Sequence, residues 1–500
     1  MLTAQQRACD RCHRNACRCS PGIEGTVCAR CEEQKLECTY SRPVKRRGPS
    51  APSIASIHDD DSSIASGPPA HAVLYSAVET FLKPDTIYCL IQFFHRTIYP
   101  IRPYFHWPTF EAQVRGQEYR SDWGIYVVTM AVCALAAGRV HGCLAVSTDL
   151  TLTGFEAREL SLRCYAAAVG AIPLDVTIID DYCQAMKASA LLASACLQNG
   201  DMAKLVAHMT NYFCLSTIHK FDREAFWPND LNEIQRQERR RLFWCVYQQE
   251  RYLSINFDLP TLQAEGKATV LYPAEVVDDE DITATGLQLR PDQVSFLRGW
   301  NFCTDMYRLQ ENMDRARSMR KEPTTERPES VTNAFLARIE PPKGFLSESL
   351  QFISKMHSEL PPRLRAIENI TGDLQADRCR LVASNIILTT QNLKMYLVGR
   401  EPPNLQLRCS IASELLDELS AAPLEFFQSL SMGSLHHLAQ VGQLLGDAIQ
   451  PPISAWRYLE VRNILLILVE FLEKIESTRH SPSCLSSKLH RQIREIDRLM

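Results

Sequence analysis

Long apolar runs are missing from this sequence. The longest, Ile125 to Gly138, falls short of the about 20 residues a bilayer-spanning helix needs, so no membrane crossing is expected. Glycine is scarce, at 20 of 500 residues, and the alternation of apolar and polar residues typical of half-buried strands is nearly absent. Both argue against a β-sandwich or a parallel sheet. The opening Met-Leu-Thr-Ala-Gln-Gln-Arg has no apolar core of the kind a secretory signal carries, so a reducing compartment without a disulfide framework is expected. There is no G-x-S-x-G, no P-loop and no H-E-x-x-H, and no enzymatic activity is expected. No fixed-period repeat holds over three units and no heptad pattern is sustained, which removes a solenoid and a long coiled coil.

Cysteine and charge are distributed unevenly. Of 19 cysteines, seven lie within the first 38 residues and twelve are scattered singly among apolar residues. Dense clustering reads as metal ligation, and the scatter as buried thiols. Residues 1–50 hold ten Lys/Arg against five Asp/Glu, whereas the other 450 hold 44 against 53, so a small basic head precedes an acidic body. Residues 44–73 begin with the basic run Lys45-Arg46-Arg47 and continue rich in Ser, Pro, Ala and Asp. That composition cannot bury enough apolar area to order itself and reads as a flexible linker. Beyond it, apolar residues recur three and four apart in Thr86–Ile98, Asp122–Ala137, Glu156–Ala171, Ile179–Gln198, Met202–Leu215 and Leu231–Leu253. The same pattern continues in Gln293–Arg317, Ser347–Glu359, Asp373–Val398, Leu407–Ala421, Gly433–Gly446 and Ala455–Ile475. The expected fold is all-α, with a small cysteine-cluster head at 1–43, the linker at 44–73 and a large helical domain at 74–500.

Within the head the spacing is Cys9-x₂-Cys12-x₆-Cys19, then eight residues, then Cys28-x₂-Cys31-x₆-Cys38. Three thiolates per half cannot satisfy one tetrahedral zinc, but six can satisfy two zinc ions if two sulfurs bridge and four are terminal. The x₂ spacing turns both thiolates of a pair toward one ion, and x₆ suits a short helix that brings the third sulfur back. A register using Cys17 instead of Cys19 is the alternative; the second half has no matching cysteine, so symmetry favours Cys19. Histidine ligands for a RING or a two-cysteine, two-histidine finger are lacking, since His13 stands alone.

The six cysteines, Asp10 after the first of them and the short loop containing Pro21 resemble the fungal zinc-binuclear-cluster transcription factors. The resemblance implies that Cys9 and Cys28 are the bridging ligands, with Cys12, Cys19, Cys31 and Cys38 terminal. It also implies binding of double-stranded DNA in the nucleus, regulation of RNA polymerase II transcription of fungal metabolic genes, and contact with the transcription machinery or co-regulators. A homodimer on paired half-sites would be in keeping with it. Charge places the DNA side on the first half, where Arg7, Arg11, Arg14 and Arg18 face only Asp10, while the second half sets Arg30 and Lys35 against Glu32, Glu33 and Glu37. His13 stands where the family's first basic residue is usual, and Asn15 and Ala16 occupy the usual base-reading pair. Asn15 can pair with adenine, but Ala16 offers no hydrogen bond, so altered sequence preference is expected. Lys45, Arg46 and Arg47 are read as backbone contacts and an import signal. The alternative reading is a co-regulator with weakened DNA binding, acting through its helical domain.

Two stretches of the body resemble the regulatory domain that accompanies this cluster, often called fungal-specific or xylanolytic-activator-type: Phe93 to Phe110, with its prolines and Pro-Thr-Phe ending, and the arginine-led Arg239 to Ser254. In the second, Leu242, Phe243, Val246, Tyr247 and Leu253 are expected on one helical face, and Arg251 against a buried carboxylate. The family's usual Gly-Arg-Pro is replaced by Asp258-Leu-Pro260. The run Asp278-Asp-Glu-Asp281 reads as a solvated loop, and His106, His141 and His208 as satisfied core or surface residues.

Overall fold

A computed structural model of the chain describes residues 8–15, 17–20, 27–39, 78–140, 150, 152–318, 345–399, 404–420, 432–450, 452–477 and 485–498. The chain divides into two compact units, Met1–Ser66 and Gly67–Met500. The first contains two five-residue helices, α1 (Asp10–Arg14) and α2 (Ala29–Glu33). The described part of the second is helical almost throughout: α3 (Pro84–Thr97), α4 (Trp107–Arg115), α5 (Trp123–Val140), α6 (Gly154–Ala171), α7 (Tyr182–Asn199), α8 (Met202–Ile218), α9 (Glu233–Phe257), α10 (Phe296–Ser318), α11 (Phe345–Ser358), α12 (Leu374–Gly399), α13 (Leu405–Ser420), α14 (Met432–Gly446), α15 (Ala455–Glu476) and α16 (Leu485–Asp497). Among the described residues the strands are one antiparallel pair of two residues each, Ile282–Thr283 with Gly286–Leu287. The twelve helical segments expected from periodicity are all present, and α4 and α16 are additional.

Local sequence explains where these helices begin. Thr153 with Glu156 and Asn232 with Gln235 form capping boxes at α6 and α9. Asp181, Asp201 and Ser454 cap α7, α8 and α15 through their side chains, and α3 and α4 carry proline in the first turn. Gly200, at φ 73°, ends α7 in the left-handed region and lets Asp201 start α8 at once.

Two apolar clusters fill the second unit, one built mainly from α3 to α12 and one from α12 to α16. Helix α12 serves both: Val382, Ile386, Leu393 and Leu397 enter the first, and Leu381, Leu388, Met395 and Val398 the second. By length and composition α5 is apolar enough to cross a membrane, which the sequence reading had not expected; 83% of it is buried inside the protein, the setting of a core helix.

Two expectations are corrected here. Helix α9 does not present one apolar face, because every residue from Arg241 to Leu253 is buried, including Gln248, Gln249, Glu250 and Arg251. The helix is enclosed on all sides, so its polar side chains need internal partners. Arg251 lies 3.5 Å from both Glu250 and Glu311, and Glu250, raised to about 7 by burial, accepts from the backbone of Leu262 and Gln263. Asp258 closes the helix at φ 53°, the left-handed conformation for which glycine is the unstrained choice.

The acidic run is likewise not a solvated loop. Asp279 and Asp281 are 2% and 1% exposed. Asp279 receives the Arg241 guanidinium at 2.7 Å, the Trp107 N–H at 2.9 Å and the Tyr99 hydroxyl. Asp281 pairs with Arg290 and accepts from the Asp278 N–H. Paired charges can be buried where isolated ones cannot, and the opposite charge of Arg241 lies on α9, 38 positions away. His106 is satisfied by Thr109 and the Asp279 carbonyl, as expected of a core histidine, whereas His208 meets the Tyr165 hydroxyl at Nε2 but keeps its Nδ1 buried without a partner; His141 lies outside the described residues.

Candidate metal centre and nucleic-acid interface

The first unit is built as two copies of one local structure, offset by 19 residues. Cys9 and Cys28 each precede a helix, and Cys12 and Cys31 lie inside it. The backbone bond His13 N–H to Cys9 O (2.9 Å) is matched by Glu32 to Cys28 (3.0 Å), and Cys17 to Cys12 (3.0 Å) by Leu36 to Cys31 (2.9 Å). The halves also close on each other, since Asp10 N–H donates to Thr39 O (2.8 Å) and Ala29 N–H to Ser20 O (2.9 Å). The third cysteine of each half returns to the first: the Cys9 N–H points at Cys19 Sγ and the Cys28 N–H at Cys38 Sγ, both at 3.4 Å. That return is what the x₆ spacing predicts.

The sulfurs gather into two quartets, Cys9, Cys12, Cys19 and Cys28 in one and Cys9, Cys28, Cys31 and Cys38 in the other, with all ligand atoms of a quartet within 4.8 Å of one another. Cys9 and Cys28 belong to both. The Cys9–Cys28, Cys12–Cys28 and Cys9–Cys31 sulfur separations are 3.7, 3.7 and 3.8 Å. A tetrahedral ion with metal–sulfur bonds of about 2.3 Å, the zinc–thiolate value, has edges of about 3.8 Å, so the donor set fits metal ions. Cys17 is outside both quartets and sets its thiol 3.6 Å from the Cys12 carbonyl.

Burial raises every perturbed thiol of the cluster, but hydrogen bonds donated by neighbours reverse the shift at the two shared ones. Cys28 is drawn down to about 6 by the Cys31 N–H and the Cys31, Cys12 and Cys19 thiols, and Cys9 also falls below its ordinary value. Cys12, Cys19, Cys31 and Cys38 are raised, Cys31 to about 12. Among the described residues of this unit the buried set is Cys9, Cys12, Cys28 and Cys31. An apolar core of that size cannot hold a fold, and cross-linking by a bound ion would have to.

Arg11, His13, Arg14, Asn15 and Arg18 are all exposed on α1 and the segment after it. Asn15 ends α1, its backbone N–H donating to Arg11 O, which leaves the side-chain amide exposed. The equivalent surface around α2 carries Arg30 and Lys35 among Glu32, Glu33 and Glu37, all exposed, so only one of two near-identical scaffolds offers an unopposed cationic face. Arg7, Ala16, Lys45, Arg46, Arg47 and the expected linker lie outside the described residues. Sequence reasoning named the donor set but not the buried Arg241–Asp279 pair in the second unit. Its one sequence signal was the excess of arginine at 239–241 leading into an apolar helix.

Residues 90–361, more than half of the chain, match the model of the fungal specific transcription factor domain. The maltose fermentation regulatory protein MAL13 of Saccharomyces cerevisiae is 24% identical over 267 residues, which are 51% of this chain and 51% of that protein. The chain thus matches about half the length of this curated relative.

Proposed function

Because the chain belongs to the fungal specific transcription factor domain family of transcription regulators, we propose that it is a zinc-dependent, DNA-binding regulator of RNA polymerase II transcription. Residues 1–43 hold two zinc ions: Cys9 and Cys28 bridge, Cys12 and Cys19 complete one site, and Cys31 and Cys38 the other. Bound zinc supplies a structural cross-link, keeping the thiols ionised and the two short helices in register. Arg11, Arg14 and Arg18, joined by Arg7 and by Lys45, Arg46 and Arg47, neutralise phosphates. Asn15 is positioned at the end of α1 to read a base edge, for which adenine is the partner of an amide. Residues 44–73 tether the head, and the helical domain, 74–500, receives signals or recruits the transcription machinery or co-regulators, in the nucleus. MAL13 carries maltose fermentation in its name, and we infer that this chain also serves a small set of metabolic genes, as a regulator and not as an enzyme.

The observation that carries this reading is the pair of sulfur quartets sharing Cys9 and Cys28, set beside a cationic face that only one half possesses. The test is selection of bound sequences from a random duplex pool by the full chain loaded with zinc, repeated with Cys28→Ser. A defined motif that disappears in the variant supports the proposal. Salt-sensitive binding without a motif, from protein that still holds two zincs, would mean that Asn15 and Ala16 have cost the head its specificity. The chain would then act as a co-regulator through its helical domain.

A further inference from the structure

Inside the second unit, α5, α7, α9, α10, α12 and α14 converge with the turn after α3 on a cavity of about 70 Å³. Its charge is one-sided. Arg102 and Arg139 line it, with tyrosine, serine, glutamine, asparagine and histidine side chains, and among the described residues no aspartate or glutamate does. The Arg102 guanidinium has no hydrogen-bond or ion-pair partner among the described residues; the bonds of this residue are made by its backbone, the N–H donating to Ile98 and Tyr99 and the carbonyl accepting from Tyr104. His437, 4% exposed, points Nε2 at the Tyr307 hydroxyl at 3.2 Å, and its Nδ1 has no partner, like the Nε2 of Gln198, which also lines the cavity. Burial, with His436 and then the charge of Arg102 adding to it, brings His437 down to about 3, so its ring is neutral and a hydrogen-bonding group, not a second cation.

A half-buried guanidinium facing a cavity that no described carboxylate lines has its donors free for an anionic partner, and Arg–carboxylate bonds are among the strong ones. Elsewhere in this unit the buried arginines Arg241, Arg251 and Arg378 have carboxylates beside them and Arg408 donates to the Leu444 and Val398 carbonyls, whereas the half-buried Arg102 guanidinium has neither kind of partner among the described residues. At about 10–15 Å³ per water the cavity has room for roughly five, the bulk of a molecule with about five or six heavy atoms. The aliphatic side chains of Ile98, Ile101, Leu135 and Leu197 complete its lining. We propose that this cavity binds a small organic carboxylate, its oxygens on Arg102 and its short carbon chain against the aliphatic wall. The ligand would bridge α5 and α7, which belong to the first apolar cluster, and α14, which belongs to the second, so binding would tighten one cluster against the other. The binding stands apart from the regulator reading; only its use as a regulatory signal rests on that reading.

Titration calorimetry on the zinc-loaded full chain tests it with pyruvate, lactate, glycerate and malonate, against pyruvamide as the uncharged counterpart and inorganic phosphate as the other common oxyanion. The expected result is saturable binding of at least one carboxylate, with pyruvamide and phosphate at least tenfold weaker. Binding should weaken at least tenfold in Arg102→Met and recover in part in Arg102→Lys. Arg102→Met should melt no lower than the parent protein, because it removes an uncompensated cation; this shows that loss of binding is not loss of fold. Absence of saturable binding by all four carboxylates up to about 10 mM, equal binding of pyruvamide, tighter binding of phosphate, or an Arg102→Met variant that melts lower while binding unchanged would each overturn the proposal. None of these readings involves DNA, so failure here leaves the DNA selection experiment unaffected.

Discussion

Replacing Asp279 by Ala would break the buried charge pair that joins α9 to the segment after it. Arg241 and Asp279 have side chains 0% and 3% exposed, 2.7 Å apart. Removing one partner of such a pair leaves an uncompensated buried charge, which costs about 3–5 kcal/mol. The Trp107 N–H, which donates to the same carboxylate at 2.9 Å, also loses its acceptor, at about 1 kcal/mol or more. The expected loss is therefore about 4–6 kcal/mol. With about 2.1 cal/mol/K of unfolding entropy per residue over about 430 residues, each kcal/mol lowers the melting temperature by about 1 °C, so the shift is about 4–6 °C. Calorimetry on the parent chain, Asp279→Ala, Arg241→Met and the double variant Arg241→Met/Asp279→Leu measures it. The double variant should lose less than the sum of the singles, because it leaves no charge behind. A fall of under 1 °C in Asp279→Ala, or strict additivity, refutes the reasoning.

The same pair has a pH signature. Burial alone would raise Asp279, but the Arg241 guanidinium and the bonds from Arg241, Tyr99 and Trp107 outweigh it and hold the carboxyl at about 2. Because the folded value lies below the unfolded one, the stabilisation is complete above about pH 4 and is lost as pH falls towards about 2. The parent chain should therefore lose stability more steeply than Asp279→Ala across that window.

Further outcomes follow from packing, metal and charge. Gly299→Ala on α10 would bring a new Cβ to 2.7 Å from Val382 Cγ1 and 2.9 Å from Ile386 Cδ1 on α12; despite better helix propensity, chemical denaturation should show a loss of about 1–2 kcal/mol. Removal of metal by a chelator should unfold the head, whose buried set is four cysteines, while leaving the helical circular dichroism signal of the second unit nearly unchanged. Arg14→Ala and Arg18→Ala should each weaken DNA binding across sequences and lower the slope of affinity against salt by about 1, read from binding isotherms at several salt concentrations. A slope that does not change in either variant would remove these residues from the phosphate contacts.

The helices were legible because their cause is local. Apolar residues three and four apart, prolines in first turns and Asp, Asn, Ser or Thr at N-caps are visible without tertiary information, and the twelve segments located in that way are helices here. Helix α16 carried the same signal, since Leu485, Leu489, Ile493 and Ile496 are its buried face, and α4 carried it in Trp107, Phe110 and Val114. In the head, the equal spacing of two cysteine triplets sufficed to name the six cysteines that gather into two quartets and to set Cys17 aside, because few arrangements bring sulfurs so close in sequence to within tetrahedral reach.

Burial of charge could not be read in the same way. Asp278-Asp-Glu-Asp281 has the composition of a solvated turn, and nothing near it in the chain says that Arg241 will meet Asp279. Helix α9 looked amphipathic because its polar residues resemble a surface face, yet neighbouring helices cover them and supply partners from Glu311, Trp300 and Thr304. Arg102, in a stretch that reads only as turn and proline, became notable once six helices had lined, with it, a cavity that holds no carboxylate among the described residues. The sequence by itself determined the elements and the six cysteines that gather into the two sulfur quartets, since helix periodicity and cysteine spacing act over a few residues. Which charges are buried, and which one is left without a partner, was decided only by tertiary structure, because a counter-charge is brought by whatever part of the chain packs alongside.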